Sequence, residues 1–369
     1  EYQAEVAILS RNIVIRGDTL SVPTDPQPSN VVCSDNKRSD VPCSNYYLTG
    51  YGGHVLISEK ASTEISSVEF FRMGQTNHIG RYPIHLHMLQ DNGKKSRIAD
   101  SSVHESFYRG IVIHATNHSV VTRNVAYDII GHCYYLESGN EEFNEISYNL
   151  GAHIHTIGYL ENFVGQETET VFTKDTSHPA IVPADAAAAP FYISNLHNNL
   201  TGNAAVGAGF SGYSMVSFND VIDGGWSSVT YVPKNRPTLH DGFYGNSCRS
   251  VGWFWNLGPC FYVGGILWKE SDTGKLKYIP GRASKSTLKR HPQFENGTKT
   301  WNIFVNSRAA LCGVAGGDWN VRSKWYNMDV VDIGDRSFNA FGEVSFRNIY
   351  LKCRSANVIS IPQNYVAGL

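Results

Sequence analysis

A repeat with a period in the low twenties is the feature that most restricts how this chain can fold. Similar blocks begin at Val103, Val125 and Leu150, each with a short β-branched run followed by residues that favour turns. Apolar residues alternate within these runs and do not recur at the spacing of a helix. Such a repeat is typical of a solenoid built from coils of short β-strands.

The alignment of successive coils predicts which side chains face the core. Two apolar pairs fall in the same register one coil apart and are expected to point inward: Ile84 and Leu86, Ile111 and Ile113. Because side chains alternate along a strand, the intervening His85, His87 and His114 should face outward. His87 and His114 would then be neighbours about 4.8 Å apart on adjacent strands.

The same alignment extends to a third coil. It matches Phe107 with Ile129, Ile111 with Cys133, and Ile113 with Tyr135. Cys133 would therefore take an inward position, and we expect it to be a buried, reduced thiol.

The three outward histidines form the centre of a candidate site. Three imidazole nitrogens that converge from adjacent strands can ligate a divalent metal ion, calcium or zinc. Alternatively, one imidazole acts as a general base while Arg81, Arg109 and His132, which are close in register, bind the carboxylate of a uronate. A third interpretation is that each imidazole only satisfies a local backbone group.

Carboxyl groups near the histidines are the candidates for glycosidic bond cleavage. A glycosidase uses two of them, about 5 Å apart in a retaining enzyme and about 6.5 to 9.5 Å apart in an inverting one. Glu137 ends the strand one coil beyond His114 and is the first candidate, and Asp241, from a later coil, is the second. Further acids in this region are Asp100, Glu105, Asp128, Glu141 and Glu142.

Composition narrows the class of protein. The 369 residues carry a net charge of −2, so there is no basic surface of the kind that binds nucleic acid. No apolar run approaches the roughly 20 residues that span a bilayer, so we expect no membrane span in this chain. The sequence opens in a strand-like segment without a leader, and we expect a mature product or a fragment.

Cysteines and glycosylation sequons favour a secreted protein or the extracellular face of a membrane protein. Of the seven cysteines, Cys33 and Cys43 bracket a polar loop and should form a disulfide. Cys248 with Cys260, and Cys312 with Cys353, are plausible further pairs, although spacing does not determine pairing. Sequons occur at three sites: Asn117, Asn199 and Asn296.

Two regions are expected along the chain. Residues 1–47 would form N-terminal strands and a disulfide loop that cap the solenoid, and 48–369 the solenoid itself, with excursions near 159–190 and 270–297. Asparagines recur just after the strands, and such side chains can stack in ladders inside turns. The asparagines concerned are Asn124, Asn149, Asn199, Asn203, Asn246 and Asn348.

Four segments carry a resemblance to a known family. They are MGQTNHIGRYPIHLHM, VHESFYRGIVIHATN, NVAYDIIGHCYYLESGNEEFNEISYNLG and FYISNLHNNLTGNAAVGAGFSGY. They resemble the β-helical region of the cell-migration-inducing hyaluronidases, and fibrocystin-like ectodomains contain related regions. The similarity runs, with gaps, from about residue 4 to the 340s. In this family a small domain named for its eight glycines usually precedes the β-helix.

The resemblance implies an all-β chain with a right-handed parallel β-helix. It also implies a secreted glycoprotein that depolymerises an anionic glycosaminoglycan-like polymer, hyaluronan above all, as a hydrolase or as a lyase. The alternative is a non-catalytic β-helix module of fibrocystin type that serves adhesion or assembly. An enzyme requires the histidines and a carboxylate in one place, whereas a structural module does not.

Overall fold

The protein is an all-β structure, as the sequence predicts. The computed structural model describes residues 4–17, 51–76, 78–155, 188–218, 234, 236–252, 258–269, 276–279, 301–319, 322–334, 336–340, 343–352 and 359–360. Within these ranges the chain forms 28 β-strands and one 3-10 helix, Asp91–Lys95, and no α-helix. No helix in the same ranges is long and apolar enough to cross a membrane.

The strands, numbered in chain order, stack in three ladders. Ladder 1 comprises β3 (Thr63–Ser66), β6 (Ser96–Ala99), β9 (Val120–Thr122), β12 (Glu145–Ser147), β15 (Asn199–Thr201), β18 (Phe243–Tyr244) and β22 (Asn302–Val305). Ladder 2 comprises β1 (Ile13–Arg16), β4 (Val68–Phe71), β7 (Ser102–Ser106), β10 (Val125–Ile130), β13 (Leu150–His155), β16 (Ala204–Ala208), β19 (Ser247–Val251) and β23 (Arg308–Ala310). The long strands β25 (Arg322–Val331) and β27 (Glu343–Lys352) continue both ladders and join them into one 17-stranded sheet.

Ladder 3 forms a separate 11-stranded sheet. It comprises β2 (Val55–Ser58), β5 (Ile84–Gln90), β8 (Ile111–Thr116), β11 (Tyr134–Leu136), β14 (Phe191–Tyr192), β17 (Tyr213–Phe218), β20 (Pro259–Lys269), β24 (Val314–Trp319), β26 (Arg336–Ala340) and β28 (Ile359–Ser360). Each strand pairs in parallel with the strand one coil away, and β21 (Leu276–Ile279) adds one antiparallel pairing to β20. This is a parallel β-helix, which confirms the predicted fold class.

The register between β5 and β8, the first two of the three coils aligned from the sequence, is the predicted one. Ile84 pairs with Ile111 and His87 with His114. The extension to the third coil is wrong by one residue, because Ile111 pairs with Tyr134 and Ile113 with Leu136. Since a one-residue slip moves every side chain to the opposite face, Tyr135 faces outward rather than inward.

The same slip affects ladder 2. Ile129 pairs with Ser106 rather than with Phe107, and Val125 pairs with Ser102 rather than with Val103. The alignment between Val125 and Leu150 is correct. The sequence therefore predicts the repeat correctly, but it does not predict the local register of the third coil.

Stacked aromatic rings fill the core beneath ladder 3. Tyr134, Phe191, Tyr213 and Phe261 occupy the same register in four successive coils, with centroids 4.8, 4.8 and 5.0 Å apart. The spacing of the rings follows the spacing of parallel strands, so each coil adds one ring to a continuous apolar column.

Left-handed residues turn the chain from ladder 1 into ladder 2. One residue per coil has φ between 51° and 67°, in the series Ser67, Asp100, Arg123, Tyr148, Gly202, Gly245, Asn306, Asn327 and Asn348. The left-handed conformation costs free energy for residues other than glycine, so interactions with neighbouring residues must hold each of them in place.

A ladder of buried asparagines directly after this corner provides those interactions. The backbone N–H of each member donates to the side-chain oxygen of the next: Asn124 to Asn149, Asn149 to Asn203, and Asn203 to Asn246, at 2.9 to 3.0 Å. The ladder predicted from the sequence is thus confirmed for these four residues. It is wrong for Asn199, which is exposed in β15, whereas Asn348 stacks on Asn327 of the preceding coil and donates to its side-chain oxygen at 3.1 Å in an exposed position.

The cysteines pair differently from the expected arrangement. Cys260 bonds to Cys312, which joins the starts of the neighbouring strands β20 and β24, and Cys248 is a buried free thiol. The plausible pairs of Cys248 with Cys260 and of Cys312 with Cys353 are therefore wrong. Cys133 is a buried free thiol, as predicted, and burial raises its pKa.

Several sequence predictions fall partly or wholly outside the described residues. Cys33, Cys43 and Asn296 lie there, as does most of both predicted excursions. Of the other sequons, Asn199 is exposed, whereas the side chain of Asn117 donates to Asp91 and accepts from the backbone of Glu142. At the N-terminal side, β1 pairs in parallel with β4 and so forms an outer rung of ladder 2.

The asparagine ladder generates a stability prediction. Asn149→Ala should lower the free energy of unfolding by about 1 to 3 kcal/mol, because it leaves buried backbone groups of neighbouring coils without partners. Asn199→Ala in the unglycosylated protein is the matched control and should change little. Denaturant unfolding measures both variants, and an equal effect of the two would contradict a structural role for the ladder.

Candidate active site on the outer face of ladder 3

Two adjacent strands carry the three histidines that the sequence singled out. His85 and His87 lie on β5, and His114 lies opposite His87 on β8. The residue after each of the paired histidines is left-handed, Met88 with φ 56° and Ala115 with φ 44°. Both strands therefore bend directly after the histidine, which places the paired imidazoles at the same edge of the outer face.

The three imidazoles form one cluster. One ligand nitrogen from each lies within 4.8 Å of the other two, and Nδ1 of His87 is 3.1 Å from Nδ1 of His114. His85 is buried, and its Nδ1 is 3.1 Å from the carbonyl oxygen of Gly80. That contact leaves Nε2 of His85 to face the cluster, where it has no hydrogen-bond partner among the residues that the structure describes.

Glu137 completes the cluster from the next coil. Its Oε2 lies 3.7 Å from Nε2 of His85 and 3.8 Å from Nδ1 of His114. The carboxylate predicted first from the sequence is thus in contact with two of the three histidines. The side chains of His87 and Glu137 are only partly buried, so this side of the cluster is open to solvent.

Tyr82 and Arg109 fix the other oxygen of this carboxylate. The hydroxyl of Tyr82 donates to Oε1 of Glu137 at 3.0 Å, and Arg109 donates to the same hydroxyl at 3.4 Å. Burial, followed by the charge of Glu137, raises the pKa of Tyr82 well above its usual value, so the hydroxyl keeps its proton and remains a donor. The guanidinium of Arg109 lies 4.1 Å from the ring centroid of Tyr135, a cation–π contact.

The electrostatics of the cluster keep His85 neutral. Burial lowers its pKa well below the usual value, and the neighbouring His114 and His87 lower it further. A neutral imidazole can accept a proton or ligate a metal ion, whereas an imidazolium can do neither.

The donor set fits a divalent metal ion with nitrogen preference. Nitrogens bonded to zinc at about 2.0 to 2.1 Å in tetrahedral geometry lie roughly 3.3 Å apart, close to the separation of His87 and His114. Zinc accepts three imidazoles, whereas calcium requires oxygen ligands. The residues that would hold the ion are His85, His87 and His114.

Arg109, His132 and Asp241 take different positions from those expected, whereas Arg81 stays a candidate for binding substrate. Arg81 is exposed and donates to Gln75. Burial lowers the pKa of the neighbouring His54, and the charge of Arg81 lowers it further. Arg109 is only 1% exposed, so the structure corrects its expected contact with a substrate carboxylate: it supports Tyr82 instead.

His132 and Asp241 lie outside the cluster. His132 is fully buried, stacks on Tyr135 at 5.0 Å and accepts a hydrogen bond from the backbone of Ala189. Asp241 is exposed in the turn before a strand of ladder 1, 2.8 Å from His240. The structure therefore does not bring Asp241 into the site as a second carboxylate.

Glu141 and Glu142 are occupied by structural contacts. Oε1 of Glu141 accepts from the backbone N–H groups of Ala115 and Ser138, and burial raises the pKa of this carboxyl. Glu142 forms ion pairs with Lys234 and Arg236. The remaining acids pair in the 17-stranded sheet: Asp100 with Arg123, Glu105 with Arg72, and Asp128 with His155.

Sequence reasoning missed Tyr82. Alternation from Ile84 would turn Tyr82 inward, but the strand begins only after Pro83, so the rule does not extend to that position. A Tyr in the turn that precedes two outward histidines was the available signal.

Comparison with known proteins places this architecture in a family. Residues 50–254 match the CEMIP beta-helix family. The chain belongs to this family. The resemblance to hyaluronidase-type β-helices and to fibrocystin-like relatives, drawn from four segments, is confirmed.

The similar proteins are considerably longer than this chain. A G8 domain-containing protein of Dictyostelium discoideum is 38% identical over 99% of the chain, which covers 22% of that protein. Communication mutant protein F of the same organism is 35% identical over 98% of the chain and 29% of its own length. Mouse fibrocystin-L is 32% identical over 69% of the chain and 6% of its own length.

A distant similarity to a solved structure is also found. That structure is the catalytic unit of an α-1,3-glucanase from Streptomyces thermodiastaticus, with 10% identity and a TM-score of 0.33 over 82% of this chain and 56% of that one. A likeness this distant has no bearing on the chemistry of the CEMIP-family site.

The lowered pKa of His85 generates a pH prediction. In the unfolded chain His85 has its ordinary pKa of about 6.5. Below that pH the unfolded chain binds a proton at His85 more readily than the folded chain does. The stability contributed by neutral His85 is therefore present above pH 6.5 and lost as pH falls below it. Urea unfolding from pH 7.5 to 5 should show this loss, and His85→Gln should reduce the slope. An unchanged slope would show that His85 titrates normally.

Proposed function

We propose that this CEMIP-family β-helix is the catalytic region of a secreted or cell-surface polysaccharide depolymerase. The observation that carries the proposal is the convergence of Glu137 with His85 and His114 on one face of ladder 3. Two independent sequence signals, the outward histidines and the carboxylate one coil further, meet within 4 Å. A module that serves only assembly has no need for this arrangement.

The geometry supports acid–base chemistry at Glu137. One carboxylate oxygen is held by Tyr82, and the other faces two imidazoles. Fixing one oxygen orients the second towards the reacting group, which is the role of a positioned acid or base. The polymer would lie along the outer face, reaching the site through the side where His87 is partly exposed.

An anionic polymer is the substrate class that fits the surroundings. Arg81 is an exposed cation close to His54. A uronate carboxylate can bind such a cation, and hyaluronan is the polymer we expect from the family. Affinity for it should fall as salt rises.

The reaction type follows from the products. Hydrolysis uses two carboxyl groups, and among the described residues Glu137 is the one carboxylate in contact with the histidine cluster. A lyase needs a base and a group that neutralises the uronate, and it leaves an unsaturated sugar. We propose the hydrolase because the resemblance to the hyaluronidases implies it, and ultraviolet absorbance of the product together with a reducing-end assay separates the two reactions.

A non-catalytic matrix or cell-surface module is the second candidate. The observation in its favour is the match to fibrocystin-L over 69% of the chain. In that case the cluster would stabilise the coils without turnover, and the assays below would show no cleavage by a folded protein.

Activity variants test the proposal. Glu137→Gln and His87→Ala should each reduce the rate of hyaluronan cleavage by about 100-fold or more, the contribution of a positioned acid–base group. His118→Ala is the control, because His118 is an exposed histidine in the turn after β8, 3.8 Å from Asp91, and is not a member of the cluster. Since the side chain of His87 lies at the outer surface, its removal should leave the melting temperature nearly unchanged. Full turnover by both site variants, in a preparation where the wild type is active, would exclude the site.

Zinc binding tests the metal arrangement separately from activity. If His85, His87 and His114 hold zinc, the ion should raise the melting temperature of the wild type. His87→Ala should reduce that rise, and a chelator should abolish hyaluronan cleavage. Cleavage that persists in a chelator would instead support the general-base arrangement.

A further inference from the structure

A second cluster of metal-ligating side chains lies in the 17-stranded sheet, away from the proposed active site. Asp128 is on β10, and His153 and His155 are on β13, the neighbouring strand of ladder 2. One ligand atom from each residue lies within 4.8 Å of the other two. The side chains are partly exposed, so an ion can reach them from solvent.

The backbone brings these three residues together. Tyr127 pairs with Ala152 and Ile129 with Ile154, so Asp128 lies opposite His153. Both residues of this pair are left-handed, with φ 56° and 53°. Left-handed residues recur at this position in the coils on either side, at Glu105 and Gly207, so the bend is regular in ladder 2 and it aligns the side chains of successive coils.

The side chains already surround one point. Oδ1 of Asp128 accepts a hydrogen bond from Nε2 of His155 at 2.5 Å, and Nε2 of His153 lies 3.8 Å from the same oxygen. The ring centroids of the two histidines are 4.8 Å apart. A carboxylate and two imidazoles are ligand types that divalent transition-metal ions accept.

We propose that Asp128, His153 and His155 bind a divalent transition-metal ion, with zinc as the best match. Two imidazoles and one carboxylate form a three-ligand set that leaves a position for water. Calcium and magnesium are excluded by their preference for oxygen ligands. For binding, the neutral imidazole of His155 takes the Nδ1–H tautomer, which frees Nε2 for the ion, and this nitrogen and Oδ1 of Asp128 move apart to about 3.3 Å.

The ion would join two consecutive coils. Asp128 comes from one coil and both histidines come from the next, so the metal would bridge β10 and β13 on the solvent side. Such a bridge stabilises the folded chain in proportion to the occupancy of the site. This role is independent of polysaccharide cleavage.

The experiment is a calorimetric titration with zinc chloride. The parent is the full chain carrying His87→Ala, so that the three-histidine cluster of ladder 3 is incomplete. Asp128→Asn and His153→Asn are added one at a time, because asparagine tolerates the left-handed backbone at both positions. His118→Ala is the matched control: His118 also lies 3.8 Å from a carboxylate, Asp91, but belongs to no described three-ligand cluster.

We expect one zinc ion per chain in the parent and in the His118→Ala control. Each added asparagine should weaken binding by at least about tenfold, since even loss of an outer-shell partner costs about 10- to 100-fold. Zinc should also raise the melting temperature of the parent more than that of either variant, a readout that confirms each variant is folded. Absence of zinc binding by the parent, or equal affinity in all four proteins, would overturn the proposal.

Discussion

Backbone hydrogen bonding between consecutive parallel coils is the constraint on which the rest of this structure depends. It fixes the separation of stacked residues near 4.8 Å, which the column of Tyr134, Phe191, Tyr213 and Phe261 reproduces in the core. It also requires that every coil turn at the same place. The left-handed residue and the following asparagine meet that requirement, because the side-chain oxygen of each asparagine accepts a hydrogen bond from the backbone of the preceding coil.

The candidate site is a direct consequence of this stacking. His87, His114 and Glu137 are distant in sequence, yet they follow one another across β5, β8 and the residue after β11. A solenoid can place one polar residue per coil along a face without disturbing its core, since the inward residues alone carry the packing. The outer face of ladder 3 can therefore hold a buried base, a partly exposed imidazole and a tethered carboxylate together.

The sequence predicted the fold class, the first register of ladder 3 and the carboxylate that reaches the histidines. Those predictions rest on strict alternation, which IHLH and IVIH show clearly. The third coil reads CYYL, a run in which every residue can be apolar, so alternation offered no contrast and the register slipped by one. Tyr82 and the Cys260–Cys312 bond were not predictable in this way, because a turn and a separation of 52 residues follow no periodic rule.

We propose above all that a polysaccharide binds this chain at the cluster of histidines and Glu137. Imidazole resonances of histidine-labelled protein, recorded during titration with hyaluronan oligosaccharides, test it most directly. Assigned by single substitutions, the signals of His87 and His114 should shift in proportion to occupancy, while those of His118 and His153, which lie elsewhere, should not. Shifts confined to those other histidines, or no shift at all with saturating oligosaccharide, would contradict the account.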